Sequence, residues 1–101
     1  MGFRLRGATD YTTGTWISAD GTPSPIAPGG FLATPLEVSD VDGRAVPTTW
    51  RVEVPSRGIE IDVAALNPNA WMDLTVSYWE GPVTATGSHP GRGYLEMTGY
   101  E

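Results

Sequence analysis

The chain has 101 residues, 40% of them hydrophobic and 18% charged, which suffices for one domain with its own core and is too little for two ordinary ones. It has no cysteine and a single histidine, His89, so disulfide scaffolds, zinc fingers, thiol catalysis, iron–sulfur clusters and His-rich metal sites are all excluded. The net charge is −6 and the six basic side chains are all arginines scattered along the chain, which is not the electrostatic footprint of a nucleic-acid binder.

Thirteen glycines and nine prolines break nearly every window in which a helix could run, and period-two alternation is what remains. The N-terminal segment Met1-Gly-Phe-Arg-Leu-Arg-Gly is too short and polar for a secretory signal, and no apolar run approaches the roughly 20 residues of a transmembrane helix. The expectation is a chain that stays where it is made, cytoplasmic as given. Residues 3–5 and 13–18 read as strands, 22–30 as a Pro/Gly loop, and 31–39 as a strand that Pro35 marks as an edge or a bulge. Asp40-Val-Asp-Gly43 is a turn; it mimics a fragment of a calcium loop but lacks the other ligands. Trp50, Val52 and Val54 then alternate with Arg51 and Glu53, Pro55 to Gly58 forms a turn, and Ile59, Ile61 and Val63 alternate with Glu60 and Asp62. That is a hairpin with one apolar and one charged face.

A longer strand is expected over 71–80, with Leu74, Val76, Tyr78 and Glu80 on the inner side and Asp73, Thr75, Ser77 and Trp79 on the other. Gly81-Pro82 interrupts it as a bulge or turn, 83–86 resumes it, and a Gly-rich loop over 87–93 leads to a last strand over 94–100. In that strand Leu95 and Met97 face the core, and Tyr94, Glu96, Thr98 and Tyr100 form a polar-aromatic row outside. Turn signals every eight to twelve residues predict an all-β antiparallel barrel or strongly curved sheet of about seven to nine strands.

Glu80 is the first candidate for chemistry. At the end of an inward row beside Tyr78 it would be partly desolvated, and desolvation favours the neutral acid that can donate a proton near pH 7. The competing reading is that the Gly81-Pro82 bulge turns Glu80 to solvent or that an arginine neutralises it, and bulges do re-aim side chains. The row of Tyr94, Glu96 and Tyr100 beside Arg92 suits either a solvated strand face or a surface that lines a cleft or docks another domain. Ser88 beside His89 lacks an orienting carboxylate and reads as an exposed loop, and the glycines of 87–93 have neither phosphate-loop spacing nor a following helix. The four Trp and four Tyr serve core and rim more often than a ligand box.

Three later segments, Pro47 to Pro55, Tyr78-Trp-Glu-Gly81 and Gly91 to Tyr100, together with Phe3-Arg-Leu-Arg6 and Gly14 to Gly21, resemble the C-terminal part of the carotenoid 1,2-hydratase-like family. Its members are also called AttH-like, or secreted-hydrolase-like, lipocalin-type proteins. The resemblance spans nearly all of residues 1–101 in order, as one lipocalin-like (calycin-type) β-domain, and reaches only the second of the family's two consecutive barrels. The family includes hydratases of isoprenoid or phytoalexin double bonds and relatives that guide cyclisations, and longer members are often exported. The resemblance implies no metal and no redox cofactor.

On that resemblance, acid-catalysed hydration would use Glu80 as proton donor, Tyr78 and Trp79 as aromatic neighbours of a developing cation, and Glu96 or Tyr94 to position water. Arg92 and Tyr100 complete the expected ligand-binding set. Three readings stand: a cofactor-independent hydratase or cyclase for an apolar natural product, a non-catalytic binding module for an apolar ligand, and a structural half-domain. A Tyr78–Glu80–Glu96 cluster lining an apolar cavity favours the first, and a cavity without an inward carboxyl group the second. A homodimer, or a second lipocalin-like half, is the expected partner, docked on Trp79, Tyr94, Glu96, Tyr100 and the loop around Ile26 and Phe31.

Overall fold

Alternating apolar and polar residues separated by glycine and proline turns leave the backbone one economical solution, antiparallel strands with one face buried. The computed structural model describes residues 1–6 and 10–100, and the strands among them form two antiparallel sheets. β1 (Gly2–Leu5), β2 (Tyr11–Ile17) and β3 (Pro23–Ile26) make a three-stranded sheet in sequence order. β4 (Leu32–Val41), β5 (Arg44–Val54), β6 (Ile59–Ala65), β7 (Trp71–Asp73), β8 (Ser77–Gly87) and β9 (Gly91–Thr98) make the second. Its order is β4-β5-β6-β8-β7, with β9 on the other edge of β8. The fold is all-β, and among the described residues its curved antiparallel sheets stay open and do not close into a barrel. No helix among the described residues is long and apolar enough to cross a membrane.

The hairpin of β5 and β6 is as the alternation predicts. Trp50 and Val54 are buried, and on the opposite face Arg51 pairs with Asp62, its register partner, at 3.0 Å. Between β4 and β5, Asp42 (φ 54°) and Gly43 (φ 82°) are both left-handed, as a tight two-residue hairpin turn requires. Asp40 Oδ1 accepts the Gly43 N–H at 2.8 Å, which makes this segment a turn. β4 is both an edge strand and irregular, with register shifts around Glu37 just past Pro35.

Three expectations of local structure need correction. Part of the Pro/Gly loop is β3, an edge strand in which two prolines lack only N–H groups that an outer edge does not require. The expected single strand over 71–80 is two strands, β7 and β8, that fold back on each other with Leu74, Thr75 and Val76 exposed between them. Gly81-Pro82 does not break β8, because the chain between β6 and β7 lies beside it. Leu66 N–H donates to Pro82 O at 3.1 Å and Glu80 N–H to Ala70 O at 3.2 Å. A Cβ at Gly81 would sit 3.2 Å from the Ala70 side chain, so glycine permits this approach.

The core of the larger sheet is Val41, Val46, Trp50, Trp79 and Met97, with Ala33, Val63, Ala65, Ala70, Trp71, Leu95 and Tyr100 packed around it. Trp50 and Trp79 bury their rings because each indole N–H finds a carbonyl, Pro47 O at 3.1 Å and Pro68 O at 2.8 Å. Trp71 Nε1 is buried without a partner among the described residues.

Candidate ligand-binding cleft

The most unusual element is β1. An edge strand of sequence Phe3-Arg4-Leu5 should turn its apolar residues inward, yet Phe3 is 54% and Leu5 63% exposed, whereas the Arg4 side chain is 20% exposed. The arginines instead face the larger sheet. The Arg4 guanidinium lies over Trp50, 5.5 Å from the ring centroid, and pairs with Asp10 at 2.9 Å; Arg6 lies over Tyr100 at 4.6 Å. Gly2 makes the approach possible, since a Cβ there would come 2.5 Å from the Phe31 ring.

Between β1 and the concave face of the larger sheet runs a cleft of about 490 Å³, within the usual size range of small-molecule sites. Phe31, Trp50, Val52, Val63, Leu95 and Met97 form its apolar wall, and Arg4, Arg6, Glu96 and Tyr100 are its polar or amphipathic lining.

The residues singled out in the sequence divide between this cleft and the opposite face of the sheet. Trp79 is completely buried and belongs to the core, so it is Trp79 and not Glu80 that points inward on β8. The parity slips because Leu74 and Val76 belong to the reversal before β8 and set no face for it. Glu80 is only half-buried, and neither it nor Tyr78 lines the cleft. Both lie on the outer face of β8, where Glu80 stands directly across from Glu96 of β9, and Tyr94 is across from Pro82. Tyr78, Glu80, Tyr94 and Glu96 therefore share a sheet face, and Glu96 also reaches the cleft rim.

The Tyr94 hydroxyl is held above its ordinary range, first by desolvation and then by the Glu80 carboxylate, with smaller effects of Tyr78 and Glu96. Arg92 is exposed at the start of β9, opposite Thr84, and outside the cleft. Tyr100 leaves the outer row: Gly99, at φ 88°, turns the chain so that Tyr100 packs against the core beneath Arg6. The expected docking row thus loses Trp79 and Tyr100 to the interior, and Ile26 and Phe31 are half-buried as well. Ser88 Oγ and His89 Nδ1 do meet, at 2.8 Å, but the same hydroxyl accepts the Glu60 N–H at 2.8 Å and closes an exposed turn.

Sequence reasoning missed Arg4, Arg6, Trp50 and Phe31 as lining residues. The available signal was the spacing of Arg4 and Arg6, two residues apart and hence on one strand face.

The match to the AttH-like family model covers residues 1–100. No curated protein matches the chain significantly. A crystal structure from Nitrosomonas europaea, of a protein provisionally designated AttH, aligns with 99% of this chain at 26% identity with a TM-score of 0.84. The chain spans 34% of that relative's length. The motifs, the open curved sheet and the match along the chain agree: this protein belongs to the AttH-like family.

Proposed function

We propose that this domain binds an apolar small molecule in the cleft between β1 and the concave face of the larger sheet. One observation carries the reading: aromatic and aliphatic side chains from β4, β5, β6 and β9 converge on a single cleft, whereas Tyr78 and Glu80 lie outside it. A neutral fluorophore, N-phenyl-1-naphthylamine, tests it. Saturable binding that Trp50→Ala weakens severalfold supports the reading, and absence of saturable binding to the wild type contradicts it.

A hydratase or cyclase acting on an isoprenoid or polyketide-like alkene is the second reading, and the presence of Glu96 at the cleft rim favours it. In that reading Glu96 is the one carboxylate-bearing residue of the lining, and by register its side chain shares the outer face with Glu80. Tyr100 is then the nearby phenol in the lining, and Tyr78, Glu80 and Tyr94 act on Glu96 from the outer face. We further read residues 1–101 as the C-terminal unit of a two-unit architecture, whose exposed small-sheet face is covered by a second copy or by the other unit.

A further inference from the structure

Six arginines supply all the basic side chains of this protein, and four of them lie over aromatic rings: Arg4 on Trp50, Arg6 on Tyr100, Arg44 on Trp71 and Arg57 on Trp16. Stacking uses the flat face of a guanidinium and leaves the N–H donors at its edge free for a carboxylate. What occupies that edge differs from one stack to the next. Asp10 takes Arg4 at 2.9 Å and Asp42 takes Arg44 at 3.6 Å. Arg57 lies outside the cleft. Arg6 lines the cleft, is stacked at 4.6 Å, and has no carboxylate partner among the described residues.

We infer that the Arg6–Tyr100 stack is the head-group seat of the cleft, and that the ligand is an amphiphile with one carboxylate and a long apolar tail, such as a fatty acid. This rests on the reading of the cleft as an apolar-ligand site. The ligand's carboxylate takes on Arg6 the place that Asp10 takes on Arg4, at the edge of a guanidinium whose face is already held by a ring. The tail follows the wall formed by Phe31, Trp50, Val52, Val63, Leu95 and Met97. Charge fixes the orientation. In a chain of net charge −6 an anion is retained only beside a local cation. Within the cleft, Arg4 is already neutralised by Asp10, so Arg6 is the remaining attractive position.

The test compares dodecanoate with 1-dodecanol, each below its aggregation limit, as displacers of bound N-phenyl-1-naphthylamine. The wild type should prefer dodecanoate by about tenfold or more, the value of one charge-assisted contact. Arg6→Gln should reduce the carboxylate-over-alcohol ratio to within about threefold, and Arg6→Lys should retain part of it. A wild type that binds the two equally, or a preference that survives Arg6→Gln, overturns the head-group assignment while the apolar cleft stands. If neither displacer nor the neutral fluorophore binds, the cleft reading fails, and this inference with it.

Discussion

Trp79 and Glu80 are one position apart on β8 and sit in opposite environments, and the difference sets what each substitution should do. Trp79 is wholly enclosed, with its indole N–H satisfied by Pro68 O. Trp79→Ala removes a large buried ring and should cost about 3–5 kcal/mol of stability in urea unfolding. Glu80 faces Glu96 across the ladder, and like charges directly opposite are unfavourable. Glu80→Gln should therefore change stability by less than about 0.5 kcal/mol, or raise it slightly.

The same variant has a second readout. Glu80 is the leading charge that holds the Tyr94 phenol above its ordinary range, so Glu80→Gln should move one tyrosine of an ultraviolet pH titration back toward about 10. The linkage sign follows. With its folded pKa raised, Tyr94 contributes stability fully below the unfolded value near 10, and that contribution disappears as pH rises through the folded value. An unchanged tyrosine titration in Glu80→Gln, or a loss of stability of about 2 kcal/mol, would contradict the shared outer face.

At the scale of elements, β1 decides whether a cleft exists. Its Arg4 stacks on Trp50 and binds Asp10, while Leu5 points away and is largely exposed. At concentrations low enough to keep the chain monomeric, Leu5→Thr should change stability little, within about 0.5 kcal/mol. Arg4→Ala should cost about 1 kcal/mol, mostly from the lost cation–π contact and little from the ion pair with the exposed Asp10. The reverse ranking in thermal melts would mean that β1 buries its apolar side.

The β5–β6 hairpin was legible in the sequence because five alternating residues on one strand meet five on the next, with a turn of suitable residues between them. β1 was not, because period two says which residues share a face and is silent on which face is covered. Here the aromatic faces of Trp50 and Tyr100 draw the arginines inward. β8 failed for another reason: the bend at Leu74, Thr75 and Val76 carries apolar residues in step with the strand after it, so the pattern runs on through a reversal of the chain. The outer grouping of Tyr94 with Glu96 was legible, and the departure of Tyr100 was not, since it depends on the left-handed Gly99. The cleft itself draws on β1 and the end of β9, nearly the whole chain apart in sequence, and no local spacing encodes that meeting.

At the scale of the whole molecule, the outer face of the small sheet stands out. Phe3, Leu5, Tyr11 and Ile17 are all exposed there, by register beside Thr13, Thr15, Pro23 and Pro25, without a charged side chain among them. Uncharged apolar faces of this kind mark interaction surfaces, and the chain spans 34% of its structural relative, so a related protein has further mass to cover such a face. For the chain alone, light scattering at micromolar concentration should give twice 10.8 kDa. The double substitution Phe3→Thr with Leu5→Thr should return it to the monomer; a wild-type monomer would reject self-association.

The central claim is that the cleft between the two sheets is where an apolar ligand sits. Backbone amide chemical-shift mapping under saturating N-phenyl-1-naphthylamine measures it directly. The account predicts that the largest changes fall on residues 3–6, 31, 33, 50, 52, 63 and 95–100, with the amides of Glu60 and Thr84 to Thr86 on the far side little moved. Changes concentrated instead on the outer small-sheet face around Tyr11 and Ile17, or around Pro82 and Arg92, with the cleft residues unmoved, would contradict it.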